Sequence, residues 1–216
     1  MSAFAYLQSA SQSGNVALAF PSVNVAGNMI VVATSNTSVT AVNDTQGNLY
    51  NIASNAYFGS SQIQMWVALN IKAGANSVTA TGLAGSGANS SIAIIEYTAP
   101  TSFQLISTSS KLLYETASQS PSETLLIIAS YDYHSSHSWT GTNLTIRETT
   151  TEGGGQTLGI GDFYTATSTI TTSSAINGCS DSGGCPTATL SNIQMGGGGS
   201  STSDIQISVS DPLVVN

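Results

Sequence analysis

The chain has 216 residues, of which 40% are hydrophobic and only 6% are charged, whereas about 25% is usual in globular proteins. Its net charge of −8 repels phosphate backbones and anionic lipid surfaces, which excludes nucleic-acid binding as a partner class. No apolar run approaches the roughly 20 residues needed to span a bilayer, so no membrane insertion is expected. The composition therefore predicts a folded protein with a neutral, hydroxyl-rich exterior, organised as one domain over residues 1–216.

The first residues have neither the basic region nor the apolar region of a signal peptide. The composition nevertheless resembles that of extracellular proteins. Either a leader was removed before the present Met1, or the protein leaves the cell when the host lyses, as virion components do. We favour the second interpretation and expect an extracellular location.

Short runs of β-type residues, separated by turn residues, follow one another along the chain. Residues 15–20, 77–81, 143–147 and 204–209 alternate between apolar and polar side chains, which is typical of strands with one buried face. Three runs are apolar throughout, at residues 29–33, 92–95 and 125–129. These predict central strands that are covered on both faces.

Turn sequences between the runs contain glycine where a positive φ is needed, as at Gly47 and Gly74. Only residues 108–117 are compatible with a short helix, and they equally suit a bridge between two halves. The pattern as a whole predicts an all-β fold, an antiparallel β-sandwich, with a jelly roll as the favoured topology.

Four segments in the first hundred residues carry a resemblance to a known class of proteins. They read AGNMIVV (26–32), VNDTQGNLY (42–50), NIKAGANSVT (70–79) and IIEY (94–97). In order and spacing this pattern resembles bacterial surface and phage-encoded β-sandwich structural proteins. The resemblance implies the fold and an extracellular or virion setting, and it implies no catalytic residues.

Two cysteines, Cys179 and Cys185, stand at the ends of a short Gly/Ser-rich stretch. A disulfide between them would close a small loop and contribute about 2 kcal/mol to stability. Two free thiols, or pairing with a neighbouring subunit, are the alternatives. A zinc site is not expected, because no histidine lies nearby.

The segment 131–139 has the composition of a binding site. Its aromatic residues suit stacking on sugar rings, and its two histidines, with Asp132, suit a metal ion. The favoured interpretation is an ordinary strand end and hairpin whose aromatic residues pack on the rim of the sandwich. The candidates for ligand or partner contact are Tyr131, Tyr133, His134, His137 and Trp139.

Calcium is a further ion for which the sequence offers ligands. Asn43, Asp44 and Asn48 supply the oxygen atoms that Ca²⁺ takes from loops. The favoured interpretation is that Asp44 and Asn48 hydrogen-bond their own backbone in a turn. We therefore expect no cofactor and no metal.

Enzymatic activity is not expected. Asp181-Ser182-Gly183-Gly184 is similar to the nucleophile motif of trypsin-like proteases, but neither histidine lies where that chemistry needs a base. Glycoside hydrolysis needs two facing carboxylates, and Glu148 and Glu152 fall in a Thr/Gly-rich loop by sequence. We assign no catalytic residue.

The sequence thus favours a non-enzymatic virion structural protein: a capsid decoration, head-fibre or tail-surface module. The alternatives are a subunit of an extracellular filament or surface layer, and a secreted carbohydrate-binding or adhesive module. Its partners would be further copies of itself, in a homo-oligomer, or other virion or filament subunits, with a glycan as a further possibility.

The terminal strands are the expected subunit contacts, by strand addition or by packing across a symmetry axis. Residues 3–8 and 205–209 lack the internal charges that usually guard sheet edges. The candidate contact residues are Phe4, Tyr6, Ile205 and Ile207. Because the first core strand is expected near Val16, deletion of residues 1–9 is predicted to leave the core folded.

Overall fold

The computed structural model describes residues 4–14, 17–35, 39–58, 61–83, 90–99, 103–112, 116–119, 124–132, 139–140, 145–152, 157–165, 170–173, 175–176, 189–197 and 207–208. These residues form strands and connecting segments, without a helix, and all their strand pairs are antiparallel. The predicted all-β class is confirmed. None of the described residues forms a helix with the length and hydropathy to cross a membrane.

The strands are numbered in chain order. They are β1 (Ala5–Ser13), β2 (Ala17–Ala19), β3 (Met29–Ser35), β4 (Ala41–Asp44), β5 (Tyr50–Phe58), β6 (Ser61–Ala68), β7 (Ser77–Thr81), β8 (Ser91–Thr98), β9 (Phe103–Leu112), β10 (Thr116–Gln119), β11 (Thr124–Asp132), β12 (Trp139–Thr140), β13 (Thr145–Thr151), β14 (Thr157–Thr165), β15 (Ile170–Ser173), β16 (Ala175–Ile176), β17 (Thr189–Gly197) and β18 (Ile207–Ser208). The segment 108–117 therefore contains strand residues of β9 and β10, and the alternative of a short helix there is wrong.

Three sheets form the described layers. The central sheet has the order β1-β8-β3-β6-β5, the small sheet has the order β2-β7-β4, and the distal sheet has the order β13-β14-β11-β17-β9. Further short pairings are β12-β16 and β15-β10-β18. The small and distal sheets cover opposite faces of the central sheet, so the described strands build three layers where the sequence predicted a two-layered sandwich.

The first eight strands pass repeatedly between the central sheet and the small sheet. Except for the β5–β6 hairpin, each strand up to β8 is followed by one in the other sheet. This alternation is the connectivity that a jelly roll requires, but β5 pairs with β6 and not with β4. The jelly roll therefore stays a prediction. Gly47 (φ 67°) and Gly74 (φ 134°) have the expected positive φ, in crossovers between sheets and not in hairpins.

Two hydrophobic cores share the central sheet. The first core lies between the central and distal sheets and consists of Phe4, Met29, Val31, Ala33, Ile63, Met65, Val67, Ala93, Ile95, Tyr97, Leu125, Ile127, Ala129, Tyr131, Leu158 and Ile160. The second core lies between the central and small sheets and consists of Phe20, Ile30, Val32, Val39, Val42, Trp66, Ala68, Ile71, Val78, Ala80, Leu83, Ile92 and Ile94. Alternate residues of one central strand thus enter opposite cores.

This arrangement explains the runs without alternation. Every residue of β3 is buried, and so is β8 up to Tyr97, because both faces of these strands are covered. The run 125–129 lies in β11, the middle strand of the distal sheet. The prediction that these three runs form central strands is confirmed, and burial of both faces is confirmed for 29–33 and 92–95.

The first strand belongs to the core, contrary to expectation. Phe4 is only 3% exposed and lies in the first core, and β1 pairs with β8 along its length. Burial of a phenylalanine side chain contributes roughly 1.5–3 kcal/mol. The expectation that the first core strand begins near Val16 is therefore wrong, and we now expect deletion of residues 1–9 to destabilise the core.

Candidate functional site

A group of hydrogen-bonded polar side chains lies where the edge of the central sheet meets the edge of the distal sheet. There β1 lies against β13. Each of the two strands contains one extra residue relative to its partner, Leu7 in β1 and Arg147 in β13. We name this group of residues the polar seam; it consists of Tyr6, Ser9, Ser11, Tyr97, Arg147, Glu148 and Asp162.

The two bulges determine which side chains reach the seam. In a regular strand, adjacent residues such as Arg147 and Glu148 would point to opposite faces. An extra residue changes this alternation locally, and both side chains contact partners on β1. In the same way, Tyr6 and Ser9 reach the same side of β1 although they are three residues apart.

Asp162 is the buried centre of the seam. It is 3% exposed and accepts hydrogen bonds from Tyr97 Oη (2.6 Å) and from Arg147 Nε (2.8 Å) and Nη2 (2.9 Å). The Arg147 guanidinium carbon lies 4.2 Å from the centre of the Tyr6 ring, a distance at which a cation is attracted to the ring face. Tyr6 in turn packs edge-on against Tyr97.

Proton affinities in this group follow from burial and from the Asp162 charge. Burial, together with the neighbouring Asp162 carboxylate, raises the pKa of Tyr97 well above its ordinary value. Burial alone would lower the pKa of Arg147, but the hydrogen bonds to Asp162 and the negative charge of that carboxylate, with smaller contributions from Tyr97 and Tyr6, together outweigh burial and raise the pKa. Both groups therefore keep their protons at any ordinary pH.

Glu148 joins the two sheets at the exposed side of the seam. Its oxygens accept hydrogen bonds from Ser9 Oγ (2.5 Å) and Ser11 Oγ (2.8 Å), and Tyr6 Oη lies 2.8 Å from Ser9 Oγ. The sequence interpretation placed Glu148 in a loop, whereas it lies within β13. Because hydrogen bonds from Ser9 and Ser11 of β1 reach Glu148 of β13, the seam is suited to hold the two sheets in register.

Glu96 is the centre of a second network, on the opposite face of the central sheet. It is fully buried and accepts hydrogen bonds from Gln8 Nε2 (2.6 Å), Asn24 Nδ2 (2.7 Å), Val25 N (2.9 Å) and Asn28 Nδ2 (2.7 Å). Three of these donors, from Asn24, Val25 and Asn28, hold the segment between β2 and β3 against β8, and the fourth comes from Gln8 of β1. The negative charge is stabilised here by N–H groups of neutral residues.

Asp44 organises the crossover from β4 to β5. Its carboxylate accepts hydrogen bonds from the amides of Gln46 and Asn48 and from the side chains of Asn48, Tyr50 and Asn76. Burial opposes its ionisation, but these hydrogen bonds outweigh burial and lower the pKa of Asp44. The turn predicted for Asp44 is confirmed, whereas the Asn48 side chain bonds the Asp44 carboxylate and the amide of Lys72 and not the backbone of its own turn. Calcium binding at this turn stays a prediction.

Glu152 lies between the central and distal sheets, immediately after β13. It is 3% exposed and accepts hydrogen bonds from Ser35 Oγ (2.7 Å) and Tyr131 Oη (3.4 Å). Burial raises the pKa of Glu152, although its hydrogen bonds act in the opposite direction. Packing of the distal sheet against the central sheet therefore opposes ionisation of the Glu152 carboxyl group.

Several predicted site residues have a described position. Tyr131 was a candidate for ligand contact, but it is 1% exposed and lies in the first core. Phe4 lies in the same core, and Tyr6 lies in the polar seam. Trp139 pairs with Ile176 in β12 and β16, and Ile207 of β18 pairs with Ala117.

The remaining candidates lie outside the described residues. They are Tyr133, His134, His137, Cys179, Ser182, Cys185 and Ile205. The disulfide therefore stays a prediction. Among the described residues, no three His, Cys, Asp or Glu side chains are placed to hold a metal ion together.

Sequence reasoning did not identify the seam. One signal was present: Arg147 and Glu148 are adjacent charges in a chain with very few, and Asp162 interrupts an apolar strand. Their meeting depends on bulges and on a partner strand more than a hundred residues away. Comparison of the chain with protein-family models, with characterised proteins and with solved structures found no match.

Proposed function

We propose that this chain is a non-enzymatic structural module of a virion surface, such as a capsid decoration, head-fibre or tail-surface protein. It acts outside the cell, through contacts with neighbouring subunits. The observation that carries the proposal is the placement of the acidic side chains. Each of the five whose side chain is described, namely Asp44, Glu96, Glu148, Glu152 and Asp162, accepts hydrogen bonds from its own chain.

This placement leaves much of the described exterior to neutral polar residues. Surface charges normally keep protein molecules apart, and a surface with few of them offers little repulsion to a neighbour. Such an exterior suits a protein that packs beside many other subunits. The resemblance of the first hundred residues to surface and phage-encoded β-sandwich proteins supports the same setting.

Exposed apolar side chains support assembly more directly. In the part of the chain with described side chains, the large exposed ones lie at the two edges of the central sheet. Leu7, Val23 and Val25 lie at the β1 edge, where Gln8 holds the segment 22–23. Leu49, Ile52 and Leu69 lie at the β5 edge. Apolar groups on opposite edges allow one subunit to contact a neighbour on each side, as in rings and filaments.

Substitution of the most exposed of these residues tests assembly. Leu49 is 85% exposed and Val23 is 63% exposed, so Leu49→Ser and Val23→Ser should leave the fold intact. We expect the wild-type chain to form a defined oligomer in light scattering, and each variant to associate roughly tenfold more weakly, a loss of about 1.4 kcal/mol. Asn51→Ser, an exposed polar change on β5, is the matched control. A wild-type chain that stays monomeric at high concentration would contradict the proposal.

Electron microscopy tests the setting. Antibodies against the chain should label the outside of virus particles from cultures that produce it. Labelling of cell-borne filaments would identify a filament subunit instead. Binding of glycans by a monomer would identify a carbohydrate-binding module. Either result would refute the virion assignment.

A further inference from the structure

Both five-stranded sheets have the same irregularity at both edges. Each outer ladder contains one extra residue, always on the outer strand: Leu7 in β1, Ala53 in β5, Ile106 in β9 and Arg147 in β13. The four inner ladders, which join β3 to β6 and β8 and β11 to β14 and β17, are regular throughout. The bulges are therefore confined to the edges.

An edge strand exposes unpaired N–H and C=O groups, which pair readily with a strand of another molecule. Proteins prevent such pairing with charged residues, with proline or with bulges that twist the edge. Neither β1 nor β5 contains a charged residue or a proline. On these two strands the bulges are the guard that remains. The other two edge strands contain charged residues beside their bulges, Lys111 in β9 and Arg147 and Glu148 in β13.

We infer that the four bulges are edge guards that prevent strand addition between copies of this chain. A bulge interrupts the regular spacing of N–H and C=O groups and bends the strand, so an incoming strand pairs only over a short length. Subunits then contact each other through side chains and not through a continuous sheet. The inference replaces strand addition, one of the two modes of contact expected from the sequence, and it does not depend on the proposed function.

The bulge in β5 offers the cleanest test, because the bulges in β1 and β13 also build the polar seam. Deletion of Ala53 makes the β5 ladder regular, and the flanking pairs Ile52–Trp66 and Ser54–Met65 keep their partners and faces. We expect the deletion variant to retain its β-sheet circular dichroism and to form at least tenfold more dimer or aggregate than the wild type at equal concentration.

Two further variants show whether the edge itself is responsible. Ala53→Ser keeps the extra residue and should behave as the wild type. Asn51→Lys in the deletion background restores a charged guard on β5, and it should reverse the association. A folded deletion variant with the oligomeric state of the wild type would overturn the inference.

A measurement on the intact chain covers the case in which the deletion variant does not fold. A synthetic peptide with the β5 sequence, YNIASNAYF, is added to the full-length protein, and amide hydrogen exchange is followed in β5. With the edge guarded, the exchange of the β5 amides should not change. Slower exchange of these amides on addition of the peptide would show strand addition and overturn the inference.

Discussion

The networks around Asp162 and Glu96 show two ways to bury a carboxylate beside the central sheet. Asp162 belongs to β14 of the distal sheet, faces the central sheet and is held by the guanidinium of Arg147 and the Tyr97 hydroxyl. Glu96 faces the segment before β3 and is held by four N–H donors of residues without charge. Both side chains are almost completely buried.

The difference between a cationic partner and neutral N–H donors shows how a chain with few cations stabilises buried negative charge. An ionised carboxylate is tolerated in a core only when its oxygens are paired. With three Lys and Arg residues in the whole chain, ion pairs are available at few sites, and Asn and Gln side chains provide donors elsewhere. The amide network depends on several positions at once, so the loss of its acceptor should cost more than the loss of the single cation.

Removal of the Glu96 carboxylate should have the largest effect. In Glu96→Ala, the side-chain amides of Asn24 and Asn28, both buried, lose their acceptor, and each unpaired buried donor costs about 1–3 kcal/mol. We expect the free energy of unfolding to fall by roughly 3–4 kcal/mol in urea titrations. Gln12→Ala, at an exposed position of β1, should change it by less than about 0.5 kcal/mol. Equal stability of the two variants would contradict the role of Glu96.

Removal of the Arg147 cation should cost less. Arg147→Met keeps an apolar stem but leaves Asp162 with only the Tyr97 hydroxyl. Because a quarter of the Arg147 side chain is exposed, we expect a loss of about 2 kcal/mol, below the range for fully buried pairs. The double variant Arg147→Met with Asp162→Asn should recover part of this loss. Strictly additive effects in the double-mutant cycle would exclude a direct interaction.

The Asp44 turn should show a smaller effect, with a defined pH dependence. Its lowered pKa in the folded chain means that the ionised form stabilises the fold above the ordinary pKa, and that this contribution is lost as the pH falls through the folded value. Asp44→Asn should cost roughly 1–2 kcal/mol at neutral pH and less in acid. A loss that is independent of pH would show that the charge is not involved.

Glu152 should show the smallest effect, with the opposite sign. Its raised pKa in the folded chain means that the fold favours the protonated form, so stability decreases as the pH rises from the ordinary value through the folded value. Glu152→Gln keeps an oxygen for the Ser35 hydroxyl and should remove this decrease. Thermal unfolding of both proteins across that pH range measures it. If the unfolding temperatures of the wild type and the variant changed with pH in the same way, Glu152 would not be the group responsible for the decrease.

The sequence by itself determined the all-β class and the central strands. Apolar runs such as 29–33 and 92–95 mark strands that are covered on both faces, and Gly47 and Gly74 mark turns with positive φ. These features can be recognised locally, because an apolar run and a turn glycine are each visible in residues that are adjacent in the chain.

Only the tertiary structure decided the third layer, the edge bulges and the partners of the buried carboxylates. Glu148 bonds Ser9 across 139 residues of sequence, and the bulge that turns it toward β1 exists because β13 pairs with β14 with one residue in excess. A period-two pattern cannot reveal such an extra residue, since its position depends on the partner strand. For the same reason Glu96, which ends an apolar run, became the centre of a network only when the segment 24–28 folded over it.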